Sequence, residues 1–117
     1  MSTSPKPEFL LLLRHYGTMP SPDEMAKLME KFLAWVNGLK ARGEFVTSSG
    51  LEFTGKLVRT HGVVSDGPFV EAKEMVGGFL IVRVDHLDRA VEIAQGCPAI
   101  ANDGTSVEVR PLRRRDN

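Results

Sequence analysis

The sequence predicts one α+β domain in which an antiparallel sheet of four strands carries two helices on one face. Three observations predict it. Two nearly continuous apolar runs, Phe9-Leu10-Leu11-Leu12-Leu13 and "GFLIVRV" at residues 78–84, read as strands at the centre of a packed sheet. Two stretches with apolar residues at three- and four-residue spacing read as helices with one buried stripe. The elements run strand, helix, strand and again strand, helix, strand, with a short hairpin between the two halves.

Each element has its own signal. The first run ends at the turn residues 17–20. Ser21-Pro22-Asp23-Glu24 then combines an N-cap serine, a proline at the first helical position and a glutamate placed to close a capping box. From there Met25, Leu28, Met29, Phe32, Val36 and Leu39 form the stripe of a helix over residues 22–42, with Trp35 beside it and a stop at Gly43. Gly38 inside that helix costs about 1 kcal/mol relative to alanine, which points to close packing there. Residues 44–53 alternate loosely and read as a strand.

Gly55 and His61-Gly62 bracket "KLVRT" and "VVSD", a spacing that fits a small hairpin with a tight two-residue turn. After the strand at 78–84, Asp85 is placed to cap a helix over 86–95, with Leu87, Ala90, Val91 and Ala94 inward and Gly96 as the stop. "SVEVRPL" at 106–112 alternates as a strand with one wet face. Gly77-Gly78, at the entry of an apolar strand, calls for a bulge or a close backbone approach that a Cβ would block. This order is βαββαβ, the ferredoxin-like, split βαβ arrangement.

Composition narrows the function classes. At 117 residues, with 42% hydrophobic and 26% charged residues, the chain is an ordinary globular domain rather than a disordered or fibrous one. Fifteen basic residues balance fifteen acidic ones, so net charge gives no attraction to nucleic acid or an anionic membrane. Residues 1–7 read as a flexible arm without an export or membrane signal, 8–112 as the domain, and 113–117 as a solvated basic tail. The single cysteine, Cys97, forms no intramolecular disulfide, which fits a reducing cytoplasm; it lacks a neighbouring base and reads as core filler. Scattered histidines show no metal-ligand spacing, and neither a phosphate loop nor a dinucleotide motif is present. No metal and no cofactor is expected.

The segment Asp66-Gly67-Pro68-Phe69-Val70-Glu71-Ala72-Lys73-Glu74, followed by Gly77-Gly78-Phe79, resembles the signature of the YCII-related, or DGPF-domain, proteins. "FLLLLRH", "FLAWVNGLKARGEFV", "LDRAVEIAQGCP" and "SVEVRPL" extend the likeness over residues 8–112. The resemblance implies a dimeric α+β barrel, in which two ferredoxin-like units bring their sheets together. It also implies kinship with small enzymes and ligand binders, and with domains that accompany alternative sigma factors. YCII proteins proper carry a histidine on the first helix paired with an aspartate. The first helix here has no histidine, so that pair does not transfer.

The candidate site residues come from the dense segment and from the end of the first strand. Asp66 is a candidate general base, and equally an aspartate that holds a turn by accepting backbone N–H bonds. His15 could exchange protons near neutral pH; it leaves the first strand beside Arg14, where a dimeric barrel has its cleft mouth. Glu71, Lys73 and Glu74 could present a base and a cation to a ligand, or form solvated ion pairs. Trp35 offers a flat apolar wall or simply packs on the sheet. Arg59 and Arg83 could bind a carboxylate or pair with acids.

Together these residues point to a small polar molecule held between sheet and helices, with proton transfer as the only chemistry they support. A second copy of the chain would cover the sheet's open face. The alternative is a regulatory or interaction module linked to transcription. Whether the chain is an enzyme stays open at this level.

Overall fold

Ser21 starts the first helix as its capping box requires. In the computed structural model, which describes residues 6–17, 20–52, 54–62, 64–67 and 74–114 and only the backbone path of 65–67 and 74, Ser21 Oγ accepts the Glu24 N–H at 3.2 Å. The Glu24 carboxylate accepts the Ser21 N–H at 3.3 Å, so two donors that the first turn leaves orphaned are satisfied reciprocally. In chain order the elements are β1 (Glu8–Tyr16), α1 (Pro22–Ala41), β2 (Phe45–Gly50), β3 (Gly55–Val58), a 3-10 turn (Thr60–Gly62), β4 (Val64–Gly67), β5 (Glu74–Arg83), α2 (Leu87–Gln95), a second 3-10 turn (Pro98–Ala101) and β6 (Thr105–Pro111).

The sheet order is β2-β5-β1-β6, every neighbour antiparallel, while β3 and β4 pair as a separate hairpin. Setting that hairpin aside leaves the ferredoxin-like βαββαβ fold with the two apolar runs at its centre. Strand alternation sends Phe9 and Leu11 of β1 and Leu80 and Val82 of β5 to one face. There they meet Val36 and Leu39 of α1 and Ala90, Ile93 and Ala94 of α2 in a single buried core. Phe32, Trp35, Phe45, Val107 and Val109 pack around it, half-buried. On the other face the alternation places Leu10 and Leu12 opposite Ile81 and Phe79, with no layer of this chain among the described residues over them.

Four local expectations are corrected. The hairpin does not close through a two-residue turn: Val58 pairs with Val64, and the chain between them makes a 3-10 turn with His61 at φ 67°. The N-cap of α2 is His86, whose Nδ1 accepts the Arg89 N–H at 3.3 Å, one residue later than Asp85. The inner face of α2 turns accordingly: Ile93 is buried, whereas Leu87 and Val91 are exposed. Gly38 meets no backbone; a Cβ there would touch only the mobile end of the Arg42 side chain.

The glycine pair on β5 has two distinct jobs. In the β1–β5 pairing Leu13 faces Gly78 and Arg14 faces Val76, so Gly77 is the extra residue of a bulge. A Cβ on Gly78 would stand 2.9 Å from the Ser49 carbonyl oxygen and 3.3 Å from Gly50 Cα. Glycine there lets β2 and β5 approach.

Candidate functional site

The bulge and the glycines shape a cleft. Under the first half of α1, residues 48–50 of β2 and the glycines 77 and 78 of β5 bring little side-chain bulk to the helix side of the sheet, while Phe79 faces the other side opposite Leu12. The cavity holds about 210 Å³. Met25, Leu28, Met29 and Phe32 line it from α1, Leu13 from β1, and Pro20, Ala99 and Asn102 from the connecting segments. The stripe that the sequence marks as helix core is therefore split: Val36 and Leu39 enter the core, whereas Met25 and Leu28 stay half-buried and Met29 is 47% exposed at the rim.

The polar groups gather at the end of β1. His15 and Thr105 face each other across the β1–β6 pairing, and His15 Nδ1 lies 3.2 Å from Thr105 Oγ1. Both line the cleft. Arg14 lines it too, but its guanidinium donates through Nε at 2.9 Å and Nη2 at 2.7 Å to the Glu108 carboxylate. Such a two-donor, charge-assisted pair fixes the side chain along the sheet.

The residues expected at the site fall into three groups. His15 turns its side chain to the cleft beside Thr105, whereas Arg14, one residue earlier on β1, turns its guanidinium to the other sheet face beside Glu108. Trp35 stands outside its lining: the indole packs edge-on to Phe32, ring centres 5.3 Å apart, and approaches Gly96. Asp66 lies in β4 in register with Lys56, and Glu74 opens β5 opposite Tyr16; Glu71 and Lys73 lie outside the described residues. Arg59 is exposed beyond the end of β3, and Arg83 pairs with Glu8.

Thr105, Asn102 and Ser48 join the lining without having been signalled. Thr105 reaches His15 only through the β1–β6 register, 90 residues away in sequence, and nothing local marks it. Ser48, opposite buried Leu80, is the one hydroxyl of "TSS" on the helix side, and a serine under a helix is the signal that could have marked a polar partner there.

Among the described residues, three titratable groups outside the cleft are clearly perturbed, including Arg89, raised first by its hydrogen bond to Glu44. The Glu44 carboxyl is lowered to about 2, first by hydrogen bonds from Arg89 and also by Arg42. Burial pushes the Cys97 thiol up, which keeps it a neutral, poorly nucleophilic core group. Among the described residues no three His, Cys, Asp or Glu side chains gather as a metal site. No described helix is long and apolar enough to cross a membrane.

Comparison with known proteins fits this architecture. No match is found among curated proteins. Among solved structures, the chain is similar to the 5-chloro-2-hydroxyhydroquinone dehydrochlorinase of Burkholderia phenoliruptrix, determined in complex with 2,5-dihydroxybenzoquinone. The TM-score is 0.54 at 18% identity, over 91% of this chain and 95% of that one. At that identity the likeness speaks for the fold. The family model described as the YCII-related domain matches residues 5–113, and with nearly the whole length covered, the chain belongs to the YCII-related domain family.

Proposed function

We propose that this protein binds a small molecule in the cleft between α1 and the sheet, and that His15 is the group there that moves a proton. The observation that carries the reading is the cavity itself, with the His15–Thr105 pair set into a wall that is mainly apolar on its α1 side. An imidazole in hydrogen-bond reach of a ligand can act as general acid or base. The wall also revises the ligand: leucine, methionine and phenylalanine suit a mainly apolar molecule with a polar edge better than the polar one expected from the charged candidate residues. That the similar dehydrochlorinase was captured with a dihydroxybenzoquinone supports a ring of that size here.

Asp66 is the second proton carrier of this reading, through its place at the foot of the hairpin that joins β2 to β5. The functional unit is a homodimer formed through the open sheet face, and a buried free thiol suits a reducing compartment such as the cytoplasm. No described feature favours the interaction module linked to transcription. Thermal-shift screening of a metabolite library against the parent, His15→Ala and Asp66→Asn proteins tests the assignment. Ligands that stabilise the parent and lose at least about tenfold in affinity on His15→Ala support it. Identical binding profiles for all three proteins would remove its basis.

A further inference from the structure

The charge and shape of the cleft specify its ligand further, given the reading that the cleft is the ligand site. Its volume, about 210 Å³, suits a single ring, since an apolar cavity of about 150 Å³ already accepts benzene. Met25, Leu28 and Phe32 close one side and Leu13 lies on the sheet below, a slot for a flat apolar body. His15 and Thr105 form a polar pair at the β6 side, and Ser48 adds a hydroxyl at the β2 side. Arg14 borders the cleft through β1, but strand alternation turns its guanidinium to the other sheet face, where it donates twice to Glu108, the residue opposite Leu12. An anion entering the slot would give up hydration without meeting a cation directed into it from the described lining. A neutral hydroxyl or carbonyl meets an imidazole and a hydroxyl, each able to donate and accept.

We propose that the cleft takes an uncharged single-ring compound with a hydroxyl or carbonyl on one edge, read by the His15–Thr105 pair, and rejects the corresponding ring carboxylate. Thr105 is the specificity-determining residue. A side-chain hydroxyl at this position bonds either the imidazole or the ligand's polar edge, and valine, of similar shape, can do neither.

Phenol, toluene and benzoate, titrated against the full chain with amide chemical shifts followed by NMR, separate the terms. Phenol is expected to bind at least about tenfold more tightly than benzoate. Thr105→Val is expected to bring phenol down toward toluene, with Thr105→Ser close to the parent. Benzoate binding as tightly as phenol overturns the charge discrimination while leaving the cleft a ligand site. An unchanged phenol-to-toluene preference in Thr105→Val overturns the role of Thr105. Absence of shifts at residues 13–15 and 77–79 with all three compounds, in protein that stays folded, overturns both this inference and the reading beneath it.

Discussion

Arg89 of α2 holds Glu44, in the link between α1 and β2, with two donors at 2.7 and 2.9 Å. Arg42 adds a third at 2.9 Å, and the Glu44 side chain is left 16% exposed. This carboxylate ties the end of α1 to the start of α2 at the far end of the helical layer from the cleft.

The folded Glu44 carboxyl titrates at about 2, against an ordinary value of 4.5. A depressed carboxylate stabilises the fold fully above the unfolded pKa, and that contribution is lost as pH falls through the folded one. Glu44→Gln is expected to cost about 1–3 kcal/mol at neutral pH, because charge-assisted bonds to two guanidinium groups become neutral ones. The gap between parent and variant should narrow as pH falls from about 5 toward 2. Urea unfolding across that range checks it. A gap that stays constant with pH would show that the charge of Glu44 is not what matters.

The two glycines of β5 should behave differently. At Gly78 an added methyl meets the Ser49 carbonyl at 2.9 Å, and that atom belongs to a paired strand. At Gly77 it meets nothing within 4 Å. Gly78→Ala is therefore expected to destabilise by about 1–3 kcal/mol, several degrees in Tm for a domain of this size. Gly77→Ala should lose clearly less. Equal melting temperatures for the two variants would contradict the close approach of β2 and β5.

Leu10, Leu12, Ile81 and Phe79 share the sheet face that no described layer of this chain covers. A second copy seated there would bury them. Solution mass should then correspond to two chains. Leu12→Glu is expected to shift it to one, since an unpaired carboxylate at the centre of an apolar interface is costly. A monomeric parent would dismiss the sheet-to-sheet dimer.

How far the sequence could be read depended on how local the cause was. The cap at Ser21, the glycine pair and the two apolar strands depend on a few adjacent residues, and each could be recognised from them. The cap of α2 slipped from Asp85 to His86 because an imidazole nitrogen accepts the same backbone N–H that a carboxylate would. The stripe on α1 was legible as apolar, but whether an apolar residue meets a core or a cavity depends on what lies beneath it. Leu39 meets the packed sheet, whereas Met25 and Leu28 overhang residues 48–50 and 77–79. Thr105 and Glu108 reach His15 and Arg14 through strand register alone, a relationship that no spacing within one segment encodes. Trp35 is large and flat enough for a ligand wall, and the turn of α1 aims it instead at Phe32 and Gly96.

If the space under the first half of α1 is the ligand site, filling it abolishes binding. Leu28 lines the cavity from the helix and is half-buried, so Leu28→Trp places an indole where the ligand ring would lie. With a ligand that raises the Tm of the parent, Leu28→Trp is expected to fold, to keep its own Tm within a few degrees, and to lose the ligand-induced increase. A full ligand-induced rise in folded Leu28→Trp protein would place binding outside this space.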